Sequence, residues 1–119
     1  MTASYARLQI LCALSAALAI MAGAFGAHGA ESAQAAGWLQ TGAVYQLIHA
    51  VAALLLIREG QARAAMVLVI GAAIFAGSLY ALALGAPRWL GAVAPIGGSM
   101  MIAGWLWTAY RFWRQRSEQ

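Results

Sequence analysis

Four long apolar stretches, separated by short polar turns, dominate this sequence. They cover residues 8–27, 41–57, 64–84 and 91–110. A helix needs about 20 apolar residues to cross the hydrocarbon core of a bilayer, and only the second stretch is near the lower limit. Charged residues make up 8% of the chain, whereas they make up about a quarter of a typical soluble domain. The pattern therefore predicts an all-α membrane protein with four transmembrane helices.

The length of 119 residues leaves little sequence outside these stretches. We therefore expect a single integral membrane domain over residues 1–119, with no separate soluble module. Residues 28–40 form the first connector, and the alanine-rich segment 31–36 within it is expected to be a short surface helix. Residues 58–63 and 85–88 are predicted tight turns, because they are polar or contain glycine and proline.

The arginines predict one fixed orientation. Cytoplasmic flanks of membrane helices carry an excess of Lys and Arg. Six of the seven basic residues fall at one end of the predicted helices, which we call the arginine-rich end: Arg7, Arg58, Arg63, Arg111, Arg114 and Arg116. Only Arg88 falls at the other. We expect an antiparallel four-helix transmembrane bundle with both termini cytoplasmic and the arginines on lipid headgroups rather than on nucleic acid.

The amino-terminal stretch admits a second interpretation. Arg7, the apolar run and the small residues Ala22-Gly23-Ala24 are also typical of a cleaved secretory signal. Cleavage would remove one helix and leave three. The run is longer than the core of an ordinary signal, which favours an uncleaved first helix. Cys12 is the only cysteine, so an intrachain disulfide is excluded.

Small residues predict where helices pack, because lipid removes the hydrophobic drive between them and favours close backbone approach. The glycines expected at helix contacts are Gly23, Gly26, Gly77, Gly97, Gly98 and Gly104. Gly77 belongs to a smooth stripe with Ala73 and Ala81. On the second helix, a small and polar face that includes Gly42 should meet protein, and the branched opposite face should meet lipid.

One polar layer is predicted inside the membrane. His49 is the clear ionisable residue within a span, and such residues are functional candidates by default. Counting depth along each helix places these residues near one level: Tyr45, Gln46, His49, Ser78, Tyr80 and Ser99. His28 falls at the outer mouth of the first helix. Hydrogen bonding between helices is the favoured role, and a ligand or proton site is the alternative.

Metal binding and catalysis have less support in the sequence. His28 and His49 lie at different depths with no cysteine nearby, whereas zinc requires more ligands than this. The carboxylates Glu31, Glu59 and Glu118 all lie outside the predicted spans. We therefore predict a protein that is not an enzyme and that holds no metal or cofactor.

Several motifs in order carry a resemblance to a known family. They are Gly23-Ala-Phe-Gly-Ala-His28, Gly37-Trp-Leu-Gln-Thr-Gly42 with Tyr45, Gln46 and His49, Phe75-Ala-Gly-Ser-Leu-Tyr80, Pro95-Ile-Gly-Gly98 and Ala103-Gly-Trp105. Together they resemble the YgdD-type family of small bacterial inner-membrane proteins, which is related to the eukaryotic transmembrane protein 256 group. The resemblance implies several uncleaved spans. It supplies no activity, cofactor or catalytic residue.

Three functional hypotheses follow. The leading one is a non-enzymatic membrane component that assembles with itself or with a larger membrane complex. The second is a small oligomeric transporter or channel that uses the polar layer around His49. The third is a membrane enzyme or cofactor carrier.

Overall fold

A computed structural model describes residues 3–116 and contains four long α-helices. They are α1 (Ala3–His28), α2 (Ala33–Arg58), α3 (Ala62–Ala83) and α4 (Ala94–Arg116), with a short 3₁₀-helix (Arg88–Ala92) before α4. All four α-helices are long and apolar enough to cross a membrane. This confirms the predicted all-α class with four spans. The chain termini and Glu118 lie outside the described residues.

The second helix begins earlier than the sequence predicted, at Ala33 rather than at residue 41. The hydroxyl of Ser32 accepts a hydrogen bond from the backbone N–H of Ala35 at 3.0 Å, which caps the first turn. The alanines that follow are strong helix formers. The expected surface helix is therefore the start of α2 itself, and the connector after α1 is short.

Glycine and proline end the helices where the sequence placed turns. Gly60 after α2 and Gly85 after α3 both have positive φ, at 78° and 97°, a conformation that residues with a side chain rarely adopt. Pro87 caps the 3₁₀-helix. Pro95 lies in the first turn of α4, where its missing N–H breaks no helical hydrogen bond.

The four helices form an open row rather than a closed ring. Each helix packs against the next in the chain, and the short connections make neighbours antiparallel. Within residues 3–116, no Cα atom of α4 lies within 8 Å of a Cα atom in α1 or α2. The row therefore leaves a gap between α2 and α4, and among the four α-helices described only α3 lies beside α4.

Glycines allow the helices of this row to approach closely. A Cβ atom at Gly26 would lie 2.9 Å from the Cβ of Leu39, and one at Gly97 would lie 2.5 Å from the backbone nitrogen of Phe75. A Cβ at Gly104 would lie 2.7 Å from the side chain of Leu68. These distances are shorter than real Cβ contacts, so the packing of α1 on α2 and of α4 on α3 depends on the missing side chains.

Two of the predicted packing glycines do not lie at a close contact between helices. Gly77 is exposed, and a Cβ there would meet nothing within 4 Å. Its neighbour in the small-residue stripe, Ala73, is also exposed, so this stripe faces away from the other helices. Gly98 lies at the edge of the α3–α4 contact, where an added Cβ would lie 4.0 Å from the Phe75 ring. The close contact to α4 is made instead by Gly71, whose Cβ would lie 2.8 Å from that of Met100.

Two apolar clusters lie towards opposite ends of the helices. The larger one, near the arginine-rich end, contains Cys12, Ala53, Leu56, Ile57, Ala64, Ala65 and Leu68. The smaller one, near the other end, contains Leu79, Leu82 and Ala94, with Trp38 packed against it. The buried polar side chains of α2, Gln46 and His49, lie between these clusters along the helices.

Candidate functional site

The polar face of α2 is buried among the other helices. Gln46 is 4% exposed and His49 is 5% exposed. They are three residues apart, so both side chains project from the same face of the helix. An unsatisfied polar group in a hydrocarbon environment costs several kcal/mol, and each of these side chains requires partners.

The amide of Gln46 joins three helices. Its Nε2 donates to the hydroxyl oxygen of Ser15 in α1 at 3.0 Å. Its Oε1 accepts from the phenol hydroxyl of Tyr80 in α3 at 2.6 Å. We call these two bonds the Gln46 network. Because both ends of the amide have a partner on another helix, the network fixes the rotation of α2 relative to α1 and α3.

Gly42 makes room for the Tyr80 ring. A Cβ at this position would lie 2.6 Å from Cε1 of that ring. Gly42 is one turn before Gln46 on the same face, so the ring crosses α2 at the glycine and its hydroxyl reaches the amide. A glycine at this position is therefore required by the Gln46 network as well as by helix packing.

His49 uses both of its ring nitrogens. Its Nδ1 lies 2.7 Å from the backbone oxygen of Tyr45, and its Nε2 accepts from the indole N–H of Trp105 in α4 at 3.0 Å. An indole N–H can only donate, so Nε2 must be the unprotonated nitrogen. Nδ1 then carries the proton and donates to the carbonyl. The two partners thus select one neutral tautomer.

The gap between α2 and α4 forms a groove beside this histidine. The groove has a volume of about 330 Å³ and is lined by Tyr45, His49, Phe75, Gly98, Met101, Ile102 and Trp105. We call it the central groove. Trp105 crosses the gap at one end, with its ring 5.9 Å from that of His49. The Tyr45 ring packs against Phe75 at 4.9 Å between centroids. The walls are mostly apolar and aromatic, which suits an apolar chain.

Three predicted site residues do not join these contacts. The Ser78 hydroxyl lies 2.8 and 2.9 Å from the backbone oxygens of Ile74 and Phe75 in its own helix. Ser99 is exposed, and so is His28 in the last turn of α1. Depth counting along a helix carries no information on the direction in which a side chain points.

Two residues of the site were missed in the sequence. Ser15 is the polar residue in the middle of an apolar helix, and Trp105 is a tryptophan far from either end of α4. An indole N–H within a membrane span has no water to donate to and needs a partner, so a tryptophan in the middle of α4 was the available signal. Within residues 3–116, no three His, Cys, Asp or Glu side chains lie together, and the absence of a metal stays a prediction.

Comparison with known proteins gives a consistent family assignment. The family described as "Protein of unknown function (DUF423)" matches residues 22–98. That range includes Gln46, His49 and Tyr80, while Ser15 and Trp105 lie outside it.

Curated membrane proteins match over much of the chain. A UPF0382 membrane protein of Haemophilus influenzae is 39% identical over 91 residues, which are 71% of this chain and 73% of that protein. One of Staphylococcus saprophyticus is 41% identical over 106 residues, 82% of this chain and 88% of that protein. The UPF0382 inner membrane protein YgdD of Escherichia coli K12 is 41% identical over 76 residues, 58% of each chain. No solved structure matches.

Proposed function

Because the chain belongs to the DUF423/UPF0382 family of membrane proteins of unknown function, we propose a role from its structure: a non-enzymatic membrane component that associates with a second copy of itself. The family and the four apolar helices make the chain a multi-pass inner-membrane protein. The arginine-rich end and both termini are assigned to the cytoplasm by the excess of basic residues there.

The hydrogen bonds of the polar layer support a structural role for it. A general acid or base must be able to exchange a proton with a substrate. Both ring nitrogens of His49 and both ends of the Gln46 amide are already engaged by other helices or by the backbone. These bonds link α2 to α1, α3 and α4, which is the structural role of hydrogen bonds between membrane helices.

One observation carries the proposal of self-association: a small-residue stripe faces outward from α3. Ala73 and Gly77 are exposed and four residues apart, and a Cβ at Gly77 would meet open space. At the internal contacts of this chain, glycines allow two helices to pack closely. The outward stripe offers the same surface to a helix of a second copy, and close packing of small residues drives association in lipid.

Cysteine crosslinking in native membranes tests this directly. We expect Ala73→Cys, made in a Cys12→Ala background, to form a disulfide-linked dimer under mild oxidation. Ile102→Cys is the matched control, because Ile102 is 64% exposed on α4 and lies away from the stripe. A monomer in both variants, or equal dimer in both, would contradict association through α3.

The central groove favours a second candidate function, the binding or passage of a small molecule beside His49. The groove opens next to a histidine inside the membrane, and such residues mark proton and substrate pathways. Proton flux into vesicles reconstituted with the protein tests it. Flux that His49→Gln abolishes would support transport, and flux unchanged by that substitution would exclude coupling through His49.

A further inference from the structure

A second cavity lies at the arginine-rich end, away from the polar layer. It has a volume of about 200 Å³ and is lined by Tyr5, Gly60, Gln61, Ala62, Arg63 and Arg111. These residues come from the start of α1, the α2–α3 turn, the start of α3 and the last third of α4. The liquid volume of one water molecule is about 30 Å³, so the cavity has room for a phosphodiester group.

Gln61 is buried beside this cavity without a hydrogen-bond partner for its side chain. It is 2% exposed, and within the described part of the chain neither Nε2 nor Oε1 has a partner. A buried amide without a partner is costly, and most buried polar groups in proteins are satisfied. Gln61 therefore needs a group that the folded chain does not supply.

The start of α3 adds further unpaired donors at the same place. The first N–H groups of a helix have no partner within it, and they attract anions together with the helix dipole. The start of α2 is capped by Ser32, whereas Gln61 at the start of α3 makes no capping bond with its side chain. The first turn of α3 is thus left open towards the cavity.

The charge of the lining is positive. Two of the six lining residues, Arg63 and Arg111, carry guanidinium groups, and none of the lining residues is acidic. The carboxylate in the adjacent turn, Glu59, is exposed and is not part of the lining. Guanidinium groups bind phosphate through paired charge-assisted hydrogen bonds.

We propose that this cavity is a phosphate-binding site, in which Arg63, Arg111 and the first turn of α3 bind the phosphate. Both arginines lie where apolar helices end, which is the depth of lipid phosphates, and basic pockets between membrane helices bind anionic headgroups. The Gln61 amide, which has no partner in the described chain, could meet this phosphate once its side chain turns towards the cavity. An anionic phospholipid fits better than a zwitterionic one, because the lining carries two guanidinium groups and no acid. The site does not depend on self-association or on the central groove.

Native mass spectrometry of the full chain tests the lipid source. The protein is released from nanodiscs of equal phosphatidylglycerol and phosphatidylcholine content, and the retained lipids are counted. We expect wild type to retain phosphatidylglycerol preferentially, and each of Arg63→Gln and Arg111→Gln to reduce that preference about fivefold. Arg58→Gln is the matched control, because Arg58 lies at the same end but does not line the cavity; it should keep the wild-type preference.

A second arm tests free phosphate. Thermal unfolding in a neutral detergent is measured with and without inorganic phosphate. A chloride salt at equal ionic strength is the control. A stabilisation by phosphate that Arg63→Gln removes, with no lipid preference in the first arm, would support the site and identify free phosphate as its source. The single arginine substitutions are at the surface, and circular dichroism verifies that each variant is folded.

Two results would overturn the proposal. An equal loss of lipid preference in Arg58→Gln and Arg63→Gln would show attraction to the charge of the whole end rather than binding in the cavity. Neither lipid preference nor stabilisation by phosphate in wild type would show that the cavity binds no phosphate at all.

Discussion

The indole N–H of Trp105 donates to Nε2 of His49 at 3.0 Å and thereby connects two helices whose backbones do not meet. No Cα atom of α4 lies within 8 Å of α2 in the described residues. The bond spans a gap that is otherwise the central groove. It also sets the tautomer of His49, because the indole can only donate. This side-chain contact therefore links α4 directly to α2 and, together with the Tyr45 carbonyl, selects the tautomer of the buried histidine.

Trp105→Phe should destabilise the fold although it keeps an aromatic ring in the groove wall. The variant leaves Nε2 of His49 without its donor, and we expect the free energy of unfolding to fall by about 1 kcal/mol. Titration with denaturing detergent in mixed micelles measures it. Trp113→Phe is the control, because in the described residues the Trp113 indole has only ring contacts, with Tyr110 and Arg116; an equal effect of both substitutions would contradict the specific role of Trp105.

Tyr80→Phe should weaken the contact of α2 with α3. It removes the hydroxyl that donates to Oε1 of Gln46, and a loss of about 1 kcal/mol is expected. Gln46→Leu removes the other partner, so a double-mutant cycle should show coupling: the two losses together should be smaller than their sum. Strictly additive losses would mean that this bond contributes nothing to stability.

Gly97→Ala should separate α3 from α4. The added Cβ would meet the backbone of α3, including the nitrogen of Phe75 at 2.5 Å, and backbone atoms cannot move aside as a flexible side chain can. We expect a loss of about 3 kcal/mol, at the upper end of the usual cost of overpacking. Gly77→Ala is the matched control, because its Cβ meets open space. Similar losses in the two variants would contradict the α3–α4 contact described above.

Both chain ends should lie in the cytoplasm. Arg7, Arg58, Arg63 and the three arginines of the final segment 111–116 lie at one end of the helices, while Arg88 lies at the other. A fluorescent protein fused to the carboxyl terminus should fold and fluoresce, and alkaline phosphatase fused there should be inactive. A fusion placed after Arg88 should give the opposite pair of results. An active phosphatase at the carboxyl terminus would show that the orientation is the opposite of the predicted one.

The sequence was sufficient to predict the number of helices and the buried face of α2. Apolar length specifies the spans, and helical spacing puts Gln46 and His49 on one face. The sequence could not predict the hydrogen-bond partners of these two residues. The level of a side chain follows from counting residues, but its direction depends on how each helix is rotated in the assembled row. Ser99 therefore points outward, although depth counting included it in the polar layer.

The contacts made by the glycines were likewise only partly predictable from the sequence. Gly97 and Gly104 recur seven residues apart on one face of α4, a spacing that is visible in the sequence. Gly71 and Gly77 are six residues apart on α3, and only the structure shows that the first meets α4 while the second faces outward. The start of α2 was misjudged for a different reason. The Ser32 hydroxyl caps the helix at residue 33 and the alanines after it are helix formers, whereas the span was counted only from the first long apolar run.

The most direct test of the account is the protonation pattern of His49 in a lipid bilayer. Nitrogen NMR of protein labelled at histidine, in nanodiscs at neutral pH, distinguishes a protonated from an unprotonated ring nitrogen, and His28→Gln assigns the signals. If the hydrogen bonds of the polar layer are structural, Nδ1 carries the proton and Nε2 accepts from Trp105 in a single tautomer. A proton on Nε2, or exchange between tautomers, would contradict that claim and would support a working proton site beside the central groove.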